Sequence, residues 1–74
     1  MNLIEFDVLE RVPYEEHDIC LTSLQAPTLP RVGDILVAHV DGYVERLLVQ
    51  EVELLFNYST DKLHEYNVFV RKLK

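Results

Sequence analysis

Apolar and polar residues alternate along the start of the chain. Over residues 2–9, Ile4, Phe6 and Val8 fall on one side and Glu5 and Asp7 on the other. A period of two predicts a half-buried strand. Residues 10–18 are charged and contain Pro13, which predicts a loop. Ile19 to Leu24 reads as a second short strand, with Ile19 and Leu21 on one face and Cys20 and Thr22 on the other. Ile35 to Val40 reads as a third. Asn57 to Lys62 is a polar loop, and Leu63 to Leu73 is a closing strand with Tyr66, Val68 and Val70 on one face.

The clearest local signal is Asp41-Gly42 between β-prone residues. A two-residue type I′ turn needs a positive φ at both central positions, which Asp-Gly supplies. That loop length sets the register: Val40 faces Tyr43, Ala38 faces Glu45 and Leu36 faces Leu47. On the other face His39 meets Val44, Val37 meets Arg46 and Ile35 meets Leu48. Residues 43–56 fit two patterns. Val44, Leu47, Leu48, Val52 and Leu55 make a helical stripe. The strand reading is preferred, because Asp-Gly leads poorly into a helix and Val44, Val49 and Val52 are β-branched. A bulge at Gln50-Glu51 would keep Tyr43, Leu47 and Val49 inward and return Val52 and Leu54 to the same side.

Ahead of the hairpin, Pro27 and Pro30 fix φ and withhold two amide donors, and Gly33 permits a positive φ. The run Leu29-Pro-Arg-Val-Gly-Asp-Ile-Leu-Val, the Asp41-Gly42 turn, Tyr43 to Val52 and Tyr66 to Val70 resemble small SH3-like β-barrel proteins of bacteria and their phages. The resemblance spans roughly residues 29–71 and is a structural pattern, so it carries over no catalytic residue. It implies a barrel and, through the mobile elements that carry such proteins, an anti-defence or host-takeover role. With five short strands and no clear helix, the expected fold is all-β: one domain over residues 1–74, a small five-stranded SH3-like or OB-like antiparallel barrel. Closure would remove exposed strand edges.

The hairpin carries apolar residues on both faces. Leu36, Ala38, Val40, Tyr43 and Leu47 occupy one, and Ile35, Val37, Val44 and Leu48 the other. A strand half-exposed to water should be polar on one side, so the outer face calls for a cover: the N-terminal segment, a second copy or a foreign partner. Leu47 and Leu55, in Leu47-Leu48-Val49 and Leu54-Leu55-Phe56, extend the same surplus and are candidate interface residues. Arg31, Tyr43 and Arg46 are candidate partner contacts, because Tyr and Arg are enriched where proteins bind most tightly.

Charge narrows the partners. The 74 residues carry 7 Lys plus Arg against 13 Asp plus Glu, a formal charge of −6. Residues 1–20 and 34–53 are strongly acidic, while Arg71, Lys72 and Lys74 make the end basic. Phosphate contacts are disfavoured, so nucleic acid is not an expected partner. The acidic surplus serves solubility, or forms a face that docks on a basic protein surface. No apolar run approaches the ~18 residues of a membrane span. Glu5, Asp7 and Glu10 interrupt the stretch where a signal peptide would be apolar. The single Cys excludes an internal disulfide and fits a reducing, cytoplasmic setting.

Chemistry is sparse. His17 lies three residues before Cys20, a spacing that points the pair to opposite faces of a strand, and Cys20 between Ile19 and Leu21 reads as a small core residue. Glu15-Glu16-His17-Asp18 groups possible ligands without zinc or calcium spacing, and His39 reads as a partly buried histidine. Gly33 and Gly42 are both used by turns, so no glycine-rich phosphate loop exists. No enzyme and no cofactor are expected. The leading expectation is a non-catalytic, self-associating protein-binding module. The alternative is a phage-type inhibitor that sequesters a nucleotide signal, or blocks a host protein.

Overall fold

Alternation builds the first strand as the sequence predicts: β1 spans Ile4–Glu10, with Phe6 and Val8 buried. The remaining strands are β2 (Ile19–Ala26), β3 (Ile35–Val40), β4 (Tyr43–Asn57) and β5 (Lys62–Leu73). The computed structural model describes residues 2–12, 17–60 and 62–73. Pro13, Tyr14, Glu15 and Glu16 of the predicted charged loop lie outside the described residues.

The chain is all-β, and residues 43–56 are strand rather than helix. The β3–β4 hairpin has the expected register throughout, from Val40↔Tyr43 to Ile35↔Leu48. Its turn has φ 42° at Asp41 and 90° at Gly42, the two positive values that the Asp-Gly signal requires. In the β4–β5 pairing the register shifts between Val49 and Glu51, so the predicted bulge falls at Gln50.

One expectation needs correction. The sheet is mixed, in the order β2-β1-β5-β4-β3, because β1 and β5 run parallel through Asp7↔Asn67, Val8↔Val68, Leu9↔Phe69 and Glu10↔Val70. It curls into a half-barrel instead of closing as an antiparallel barrel. No Cα of β2 lies within 8 Å of a Cα of β3, so the two edge strands do not pair. The radius of gyration is 13.4 Å, against about 11 Å for a compact domain of this length.

Register shows how a single sheet makes a core. Val8 pairs Val68, Val49 pairs Val70, and alternation adds Phe6 and Leu47 to the same inner face. All six are at most 5% exposed, and Val8, Val68 and Val70 are completely buried. Curling brings these side chains together, while Leu21, Ala26, Leu29, Leu36, Val52 and Tyr66 pack around them. Burying a valine fully stabilises by roughly 1.5–3 kcal/mol.

The Pro-Arg-Val-Gly-Asp run has a physical account. Asp34 N–H donates to the Arg31 carbonyl at 3.0 Å, closing a turn whose third residue, Gly33, has φ 97°. A type II turn requires that positive φ. Gly33 N–H then donates to the Val49 carbonyl and Val49 N–H to the Asp34 carbonyl, both at 2.9 Å. This glycine bulge ties the loop to β4 in the middle of the core face. The Asp34 carboxylate also accepts from Arg31 N–H at 2.8 Å.

A candidate docking face on the outer wall

The outer wall divides into two halves by register. Across β2, β1, β5 and β4 it carries Ser23, Asp7, Asn67 and Glu53 in one row. Ser23 Oγ donates to Asp7 Oδ1 at 2.6 Å, and Gln25 Nε2 donates to Glu5 Oε2 at 3.3 Å, so this half is polar and tied across strands. The adjoining row holds Phe69, only 4% exposed although it faces outward. Arg11 covers it, with its guanidinium carbon 4.1 Å from the ring centroid, and Arg11 is also paired with the Glu51 carboxylate.

The other half, over β3 and β4, is apolar and bare. Ile35 is 50% exposed, Val37 53% and Val44 51%. Half-buried Leu48 and Leu73 continue the patch toward β5, interrupted by Arg46 between Val37 and Leu73 and ending at exposed Arg71 beside Leu48. Three half-exposed branched residues on one sheet face, beside an unpaired edge, form the contiguous apolar surface that marks interaction sites.

The predicted contact residues do not converge. Arg46 sits within the outer patch, exposed and in register with Val37. Leu55 is on the same wall but far along β4, half-buried opposite Glu65. Arg31 is exposed in the turn before β3. Tyr43, expected to point inward with the core, is 59% exposed at the start of β4, and Leu54 is 52% exposed, because the inner face is open at both ends of this long strand. Leu47 is core, 5% exposed, and offers no surface in the single chain. Ile35, Val37 and Val44 were legible as an outer apolar set, though they are not among those five residues.

Two other expectations are corrected. Cys20 is exposed, because it lies opposite Leu9 on the outer wall of an edge strand whose register shifts at the next residue. His39 is exposed on the other edge strand.

Between the two edges lies an open groove of about 430 Å³, with Leu21, Thr22 and Leu24 of β2 on one side and Ala38, His39, Glu45 and Leu47 of the hairpin on the other. Its one carboxylate is partnered, with Lys72 Nζ 3.4 Å from Glu45 Oε1. A smaller depression of about 270 Å³ is bounded by Glu5, Asp7 and Glu65 and would repel anions. Among the described residues, no group of three or more His, Cys, Asp or Glu could hold a metal ion. Among the described residues no helix is long and apolar enough to cross a membrane.

No protein-family model matches the chain, and no curated protein or solved structure matches it.

Proposed function

We propose that the chain is a non-catalytic binding module that works through protein–protein contacts and associates with itself. The observation that carries this reading is the bare apolar half of the outer wall, Ile35, Val37 and Val44, next to a polar half where Ser23 bonds Asp7 and Gln25 bonds Glu5. Total exposure supports it. A folded monomer of 8.7 kDa exposes about 4,700 Å², and this chain exposes 5980 Å². The excess, about 1,300 Å², is larger than the ~800 Å² that each partner gives to a stable interface. A cytoplasmic location is part of the proposal, supported by one exposed thiol, which a reducing compartment would keep unpaired. The finer assignment, an SH3-like or OB-like small barrel, is supported by the five curled strands and by the Pro30-to-Asp34 turn leading into the hairpin.

Sedimentation velocity at micromolar concentration tests the reading, and a species heavier than one chain is expected. A single chain at every concentration, with no partner bound, would overturn self-association. A thermal melt across a nucleotide panel tests the sequestering alternative. No ligand should raise the midpoint, whereas a true ligand in large excess would stabilise by several kcal/mol.

A further inference from the structure

The half-barrel ends in two edge strands that differ in protection. Natural sheets guard edges with charge, proline or bulges. β2 is broken by a register shift between Val8 and Leu9 of its neighbour, which leaves Leu21 as an extra residue. β3, Ile-Leu-Val-Ala-His-Val, has no charged residue, no proline and an unbroken register with β4.

The phase of the ladder shows which backbone groups are open. A two-residue turn leaves its flanking pair, Val40 and Tyr43, exchanging both hydrogen bonds, and such pairs recur at every second residue. The 2.9 Å bond from Val49 N–H to the Asp34 carbonyl falls on that phase. Residues 34, 36, 38 and 40 therefore direct their backbone groups at β4. Ile35, Val37 and His39 turn theirs to the open side, and their side chains share the bare outer wall.

We propose that β3 is the seam of a homodimer: two copies join edge to edge, antiparallel, about a two-fold axis at Val37, and the two sheets become one. This rests on the self-association reading and names its surface. Directly opposed residues in an antiparallel pair point to the same face, so a two-fold axis must relate positions of like parity. Centring on Val37 sets Val37 against the partner's Val37 and Ile35 against the partner's His39. Every outward amide and carbonyl of both strands is then used. Centring on Ala38 would set Ile35 against the turn at Asp41.

A second copy fits better than an unrelated chain for two reasons. The strand is self-complementary about Val37, and none of the thirteen acidic residues lies within it, so copies that each carry −6 can meet there. The join also makes the two bare patches continuous across the axis, and the surplus of exposed surface over a compact monomer exceeds the ~800 Å² that a stable dimer needs from each copy.

The decisive measurement needs no substitution. In the full chain, amide exchange at Ile35, Val37 and His39 should slow by at least about tenfold between dilute and concentrated samples, while the exposed turn amide of Gly42 does not change. In a Cys20→Ser background, Val37→Cys should oxidise to a covalent dimer and Leu24→Cys, on the other edge, should not. Val37→Lys should sediment as one chain and keep its β circular dichroism. A wild-type chain that never dimerises overturns both this seam and the self-association reading. A wild-type dimer whose Ile35, Val37 and His39 amides stay unprotected overturns the seam alone, as does a folded Val37→Lys chain that still dimerises.

Discussion

Arg11 lies over Phe69, its guanidinium carbon 4.1 Å from the ring centroid, and so covers an aromatic residue on the side of the sheet that has no second layer. Arg11 is just past the end of β1, and the parallel register Leu9↔Phe69 brings it there. Its charge is held from the far side by Glu51 on β4.

A stacked cation at a part-exposed site contributes roughly 0.5–2 kcal/mol, and an ion pair with both partners nearly half exposed adds less than about 1 kcal/mol. Arg11→Ala should therefore lower stability by about 1–2 kcal/mol in urea denaturation. Glu51→Gln should cost less, because the stacking remains. Equal losses in the two variants would mean that the ion pair, and not the ring cover, is what Arg11 supplies.

Leu47 and Leu55 look alike in sequence, and the structure separates them. Leu47→Ala removes a side chain only 5% exposed and should cost about 2–5 kcal/mol, enough to threaten folding in so small a domain. Leu55→Ala, on the half-buried outer wall, should cost about 1 kcal/mol or less. Thermal melts followed by circular dichroism distinguish the two, and a lower midpoint for the Leu55 variant would contradict the register of β4.

Gly33 tests backbone strain without crowding. A methyl group at Gly33 would meet nothing within 4 Å, yet φ is +97° there. Gly33→Ala should still destabilise, by about 1–2 kcal/mol. Removing the Asp34 carboxylate with Asp34→Ala should cost about 0.5–1.5 kcal/mol through the lost bond to Arg31 N–H. A neutral Gly33→Ala variant in chemical denaturation would show that the turn adopts a different conformation in solution.

The hairpin turn gives a ranked series. Gly42 has φ +90° with open space around it, so Gly42→Ala should lose about 1–2 kcal/mol. Asp41→Asn should be nearly silent, because Asn tolerates a left-handed backbone as Asp does. Asp41→Val should be the worst at that position, because a β-branched residue is disfavoured at positive φ. Proton NMR of the cross-strand pair His39 and Val44 would report loss of the hairpin directly.

Several features could be read from the residues alone because they are local. Alternation in β1 and β5 specifies which side is apolar, and Asp41-Gly42 specifies both the turn and the register of the pair it joins. The Asp-Gly turn and β-branching favoured strand over helix for residues 43–56, and a bulge at Gln50-Glu51 follows from keeping Val49 and Val52 on one side. The bare set Ile35, Val37 and Val44 was visible once the register was known.

What the sequence could not decide were the long-range pairings. Nothing in the pattern of β1 says that its neighbour is β5, or that the two run parallel, since a half-buried strand looks the same in either ladder. The same is true of closure: whether β2 meets β3 depends on how strongly the whole sheet curls, a property of all five strands together. Arg11 over Phe69 exists only because that parallel pairing does. Periodicity records how each residue meets its own strand's two faces, while chain entropy and packing among distant strands select which edges remain open.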